Sequence, residues 1–518
     1  MRTSWIPRSI RSWTFLLALA VTRPGAAIAQ TSRVGEVEFS NSGAPAAQAA
    51  FLRGLALLHS FEYDAAAQAF RQAQETDPAF AMAFWGEAMT YNHPVWMEQD
   101  LQAAREVLDR LGPTTQARFA AAPTDREKEY LATIEILYGS GSKEQRDRAY
   151  AEAMRRLHEA YPDDPDVATF YALSLLGTAH RGRDFTTYMK AAAVAEEVFR
   201  DHPNHPGAAH YLIHSYDDAI HAPLGLRAAR AYSAIAPEAA HAQHMTSHIF
   251  VALGLWDEVV EANETAVAVM NAALESRGRS PRYCGHYNFW LVYGYLQQSR
   301  AADAKARLAA CREAVLRAGE SVRRPLSDPL DPDNSGAYSF VRMRARYIID
   351  AEAWDDEVLD WDVPVGDVAF APRLTYAFTT GLAAARRGDA SAAREALRSV
   401  RASRERLAAY LEERPTAGTS RLTRARVLEI QLEGAIQATE ERWGRAIELL
   451  REAAALEETI PLRFGPPFVD KPPYELLGEV LLEAGRAREA ADAFETALAR
   501  TPRRILSMLG LADALEGY

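Results

Sequence analysis

Residues 474–502 read YELLGEVLLEAGRAREAADAFETALARTP, and this stretch decides the fold. Leu477, Gly478 and Leu481 form one helical stripe; after Gly485, Ala490, Phe494 and Ala497 form a second, which Pro502 closes. The small residues let two antiparallel helices approach closely, Phe494 fills the gap to the next unit, and the proline ends the second helix because it has no amide donor. Near the other end of the chain Gly54, Leu57, Ala66, Phe70, Ala73 and Pro78 repeat the pattern. Both copies run 12 residues from Gly to Ala, 4 from Ala to Phe, 3 from Phe to Ala and 5 from Ala to Pro.

Weaker copies lie between them. Gly434, Ala446, Leu450 and Ala453 keep the register, as do Gly381, Gly388, Ala393 and Leu397. Ser299, Ala304, Leu308 and Cys311 keep it loosely; Gly254, Val259 and Ala266 lie in another copy, and Leu226 to Pro237 close the one before it. The pattern resembles the tetratricopeptide repeat, a helix–turn–helix unit of about 34 residues. The segments HSFEYDAAAQAF, FAMAFWGEAM, HPGAAHYLIHSYDD and HMTSHIFVALGLWDE also resemble exported bacterial tetratricopeptide proteins, here in a histidine-rich variant. The resemblance implies an all-α, right-handed α-solenoid of roughly ten helical hairpins, since one unit alone cannot bury its apolar side.

The 518 residues divide into a signal peptide (1–29), a flexible N-terminal segment (30–44), an N-terminal array carrying a histidine cluster (45–320), an irregular acidic and aromatic insertion (321–372) and a C-terminal array (373–518). Arg2, Arg8 and Arg11, the short apolar run Trp13 to Val21 and the small residues Ala27 and Ala29 have the layout of a secretory signal, so a periplasmic or secreted location is expected. The insertion carries Asp350, Asp355, Asp356, Asp360 and Asp362 with Trp354 and Trp361, and reads as a solvated acidic segment without calcium-loop spacing. A net charge of −12, or −16 without residues 1–29, argues against a nucleic-acid surface. No apolar stretch after residue 29 is long enough for an integral membrane span.

Eight of 13 histidines lie between residues 202 and 248. His210 and His214 are spaced i,i+4 in HYLIH, and His244 and His248 are spaced i,i+4 in HMTSH, 34 residues further on. The separation equals one repeat, so the pairs occupy equivalent slots on the first helices of adjacent units. The matching slots in the C-terminal unit are Glu475 and Glu479, whose polarity predicts a face turned away from the core. Asp218 continues the His210–His214 face, Asp217 is angled about 100° away, His241 precedes His244 by a turn, and His286 matches His241 in the next unit. Two imidazole pairs on neighbouring helices can meet around one ion, and nitrogen and oxygen ligands without thiolate suit Zn or Cu. Two blander readings stay open: histidines lining a polar groove, or histidines satisfied within a core.

The leading reading is an exported repeat scaffold with a concave groove for a protein or peptide partner and a histidine metal site. A metal-dependent hydrolase or oxygenase, with Asp218 as ligand or base, and a metal-free adaptor are the alternatives. Tyr211 and Met245 stand where the H-E-x-x-H motif needs its glutamate, which argues against a zincin protease. His59, Phe61, Glu62 and Tyr63 read as structural, as does the patch of Trp85, Asn92, His93, Pro94 and Trp96, and the aromatic run from Tyr283 to Tyr295 reads as packing. Cys284 and Cys311 lie about one helical turn out of alignment in this register, so a disulfide between them stays open, with Cys284 as a soft ligand the thinner alternative.

Overall fold

The computed structural model describes residues 33–319, 335–365, 370–412 and 420–517. The signal-peptide expectation lies outside them, as do residues 30–32, 321–334 and 366–369 of the two expected irregular segments. The described chain is α-helical apart from short 3-10 turns and one pair of two-residue strands, Asn92–His93 and Glu98–Gln99.

Antiparallel hairpins account for most of it. Gln48–His59 packs on Tyr63–Thr76, Pro165–Leu176 on Phe185–Asp201, Pro206–Tyr216 on Ala222–Ile235, Ala240–Leu253 on Trp256–Glu275, and Pro473–Glu483 on Ala487–Arg500. First helices of successive hairpins also touch, which makes the stack an α-solenoid. The sequence logic is visible in the contacts. Phe70 lies against Gly54 and Gly86, and Phe494 against Gly478 and Gly510, so each ring is clamped between glycines of adjacent units that leave no room for a Cβ. Prolines open several helices, as Pro165 and Pro206 do at the first helical position, where no amide partner is needed. Gly254 ends the Ala240–Leu253 helix in the left-handed conformation, φ +65°.

The solenoid closes on itself. Helix Gln48–His59 packs across on Pro206–Tyr216. At the other end Trp256 Nε1 donates to Arg503 O at 2.9 Å, and the Ile505 amide donates to Gln297 Oε1 at 3.0 Å. Arg504, fully buried, reaches Asp350 at 2.6 Å and Glu475 at 2.8 Å.

This closure corrects three expectations. Glu475 does not look out to solvent: it is buried, and accepts from Lys471 Nζ at 2.9 Å and Ser507 Oγ at 2.5 Å as well as from Arg504, while Glu479 pairs with Arg386 and Lys471. A polar slot in this array is a buried polar network, because another turn of the chain covers it. The irregular insertion contains a regular helix, Gly336–Asp350, most of it buried, and its Asp350 serves Arg504 instead of water. The described part of the flexible segment is extended but anchored, with Val34 and Phe39 buried and the Phe39 ring 5.3 Å from that of Phe51. Cys284 and Cys311 form a disulfide with Cα atoms 4.9 Å apart. Cys284 lies in the loop before helix His286–Gln297, so the helical register does not govern its position.

Candidate metal centre

Helices Pro206–Tyr216 and Ala240–Leu253 carry the two imidazole pairs side by side, and helix His286–Gln297 adds the next histidine. The expected groove-lining position is wrong in its exposure: His210 and His244 are 0% exposed, His214 and His248 2%, His241 8%. What covers them comes from distant parts of the chain. The Phe61 ring lies 4.3 Å from His210 and 5.6 Å from His241, and Phe464 lies 4.8 Å from His248. Trp290 stacks on His248 at 4.6 Å and meets His244 edge-on at 4.8 Å. Gly465, at φ +88°, passes so close to Trp290 that a Cβ there would collide with the ring.

The rings converge, but not as four around one point. One ring nitrogen each from His210, His214 and His241 lie within 4.8 Å of one another, and so do those of His244, His248 and His286. Each i,i+4 pair closes with a third histidine, and a further set, His214, Asp217 and His248, joins one member of each pair. His241 and His286, expected as flanking groups, complete the triads.

Partners fix the tautomers of His210, His244 and His248. His210 Nδ1 lies 2.7 Å from the carbonyl oxygen of His59, which can only accept, so Nδ1 carries the proton. Asn263 Nδ2 donates to Val259 O at 2.8 Å, which turns its Oδ1 to His244 Nδ1 at 2.7 Å. His248 Nδ1 donates to Asp217 Oδ2 at 2.9 Å, and His214 Nδ1 approaches the same oxygen to 3.6 Å. The Nε2 atoms of His210, His214 and His241 are buried with no hydrogen-bond partner among the described residues. At His210 the carbonyl oxygen on Nδ1 leaves a bare lone pair on Nε2, the arrangement of a metal-ligating imidazole.

Burial, together with repulsion from neighbouring rings, holds His210, His241 and His244 well below the ordinary imidazole range. Burial also lowers His248, although Asp217 opposes it. These rings are neutral at physiological pH, the state that binds metal. Burial works to raise the Asp217 carboxyl, but Arg183 and its histidine contacts outweigh it and keep the group ionised.

Asp218 is not a member of the cluster, which corrects its assignment as ligand or base. It pairs with Arg183 Nη1 at 3.0 Å and His221 Nδ1 at 2.9 Å. Asp217 takes its place because helix Pro206–Tyr216 stops before it; at φ −76°, ψ 50° the residue has left the helix, and the 100° step no longer applies. The stop before the Asp-Asp pair in HSYDD is the one local signal that could have shown this. Arg183 bonds both carboxylates.

A second group was missed. His59 Nε2 lies 2.9 Å from Asp166 Oδ1, His205 Nε2 lies 3.4 Å from the same oxygen, and His59 Nδ1 meets Tyr211 Oη at 2.9 Å. His205 Nδ1 caps its helix by accepting from the Ala208 amide at 3.2 Å. Both rings are fully used in joining three helices, which is a structural role, and no local spacing announces it.

No protein-family model matches this chain, and no curated protein matches it in sequence. Several solved structures resemble it at low identity. A monomeric mutant of IFIT1 with Gppp-AAAA is 11% identical, over 89% of this chain and 95% of that one, with a TM-score of 0.37. The Cut9 and Hcn1 hetero-tetramer of the APC/C is 14% identical over 93% and 78%, with a TM-score of 0.35. Yeast Tom70 is 12% identical over 91% and 95%, with a TM-score of 0.32. The likenesses concern the fold alone; the site rests on its own geometry. Among the described residues no helix is long and apolar enough to cross a membrane.

Proposed function

We propose that this chain is an exported tetratricopeptide-like scaffold that holds a transition metal, Zn or Cu, on imidazoles in its interior. The observation that carries the reading is the set of three buried, unpartnered Nε2 atoms of His210, His214 and His241. Leaving one such polar atom dry costs about 1–3 kcal/mol, and three in one cluster would be a heavy expense without a ligand. Arg183 against the two carboxylates Asp217 and Asp218 also leaves one negative charge that a bound cation offsets. The Cys284–Cys311 disulfide supports an oxidising compartment. A protein or peptide partner, as the repeat resemblance implies, would dock on another face, because aromatic rings fill the one bearing the histidines.

A metal-dependent enzyme is the second reading. The observation in its favour is a cleft beside the centre, lined by Asp217, Trp256, Tyr293 and Phe464.

The test is elemental analysis of full-length protein purified without an affinity tag, then stripped and reloaded with zinc or copper alone. Stable binding at neutral pH is expected, lost only in acid strong enough to protonate the depressed imidazoles, because ligating imidazoles must be unprotonated. Absence of any tight binding after reloading would refute the reading. Turnover over an ester, peptide and phosphoester panel, or oxygen consumption by the copper form, would decide for the enzyme.

A further inference from the structure

The triad His244, His248 and His286 has its own signature, separate from the unpartnered nitrogens of the first. His244 Nε2 and His248 Nε2 face each other at 3.2 Å, a distance that would ordinarily be a hydrogen bond. Both Nδ1 atoms, however, donate to acceptors, Asn263 Oδ1 and Asp217 Oδ2. Each Nε2 of the neutral rings therefore presents a lone pair, and two lone pairs do not bond. Two nitrogens bound to one tetrahedral ion at about 2.0–2.1 Å stand about 3.3 Å apart. The spacing is that of two ligands of a single ion, with His286 as the third and the edge of the set half-buried.

We infer that the protein binds two transition-metal ions as a neighbouring pair, one on His210, His214 and His241 and one on His244, His248 and His286. The inference rests on the metal-binding reading above. Asp217 links the two sets: its Oδ2 bonds His248 Nδ1 at 2.9 Å, faces His214 Nδ1 at 3.6 Å, and so orients one ligand of each ion. The His214 and His248 ring centroids lie 5.6 Å apart, so the two triads are direct neighbours. Three imidazoles on each ion and no thiolate suit Cu or Zn, and leave each ion an open position. The sites are unequal in access. The first triad is fully buried, whereas His286 gives the second a path to solvent.

The experiment is metal stoichiometry and copper paramagnetism on the full chain, stripped and reloaded with cupric ions alone. About two ions per chain are expected, with a cupric signal broadened or lost through spin–spin interaction. His286→Ala, at the half-exposed edge, should keep the fold by circular dichroism, bind about one ion, and restore the sharp signal of an isolated cupric centre. One ion in the wild type overturns the pair and leaves the metal-binding reading standing; none overturns both. Two ions with a sharp signal integrating to two isolated spins would show separate sites and overturn the pairing. Should His286→Ala fail to fold, reloading with substoichiometric copper serves instead: a sharp signal that fades as the second equivalent enters supports the pair, and one that grows in proportion overturns it.

Discussion

Acid should destabilise the metal-free protein well before its carboxylates titrate. His59 is the group for which the effect can be worked out. Burial is the chief cause that lowers it, from 6.5 to about 4, although Asp166 opposes the shift. The unfolded chain therefore takes up a proton first, so stability is intact above pH 6.5, falls as pH drops through 6.5, and stops falling below about 4. The gap of about 2.5 in pKa is worth roughly 3 kcal/mol in full, of which about 2 kcal/mol is lost between pH 7.5 and pH 5. His210, His241, His244 and His248 shift in the same direction and add to it. Glu62 and Glu457, raised by burial, act in the opposite sense. Asp166 is held at about 2 by His205 and His59 against its burial, so its contribution is confined below pH 3.8. The assay is urea unfolding of chelator-treated protein, followed by far-ultraviolet circular dichroism at both pH values. A loss of at least about 2 kcal/mol is expected, a large part of the stability of an ordinary domain. Equal or greater stability at pH 5 would refute the burial of neutral imidazoles on which the site depends.

Three further outcomes follow from particular contacts. Asp217→Asn removes the carboxylate that orients His214 and His248, and should weaken metal binding about 10–100-fold in a competition titration while the helical signal holds; unchanged affinity would deny Asp217 that role. Cys284→Ser with Cys311→Ser opens a link of sequence separation 27, and should cost about 3–4 kcal/mol by denaturant unfolding. Phe494→Ala, at a ring with 0% exposure clamped between Gly478 and Gly510, should cost about 3–5 kcal/mol, and a loss under 1 kcal/mol would contradict the clamp.

Much of this was open to a reader of the chain alone. The glycine–phenylalanine spacing fixed the hairpins, because a ring and the small residues facing it must recur once per unit wherever units stack. The 34-residue translation of HYLIH onto HMTSH placed four imidazoles on adjacent helices, and His241 and His286 followed from the same register. These are properties of one helix and its copy, which periodicity encodes. How the rings group, and what encloses them, was decided elsewhere. Phe61, Arg183, Asn263, Trp290 and Phe464 come to the histidines from separate segments, and Asp217 replaces Asp218 because the helix ends at Tyr216, before either carboxylate. Periodicity records which face of a helix a side chain occupies. Whether that face meets water or another turn of the chain depends on how the solenoid closes, and closure is a sum of many weak contacts between residues hundreds of positions apart, such as Arg504 with Asp350 and His59 with His210.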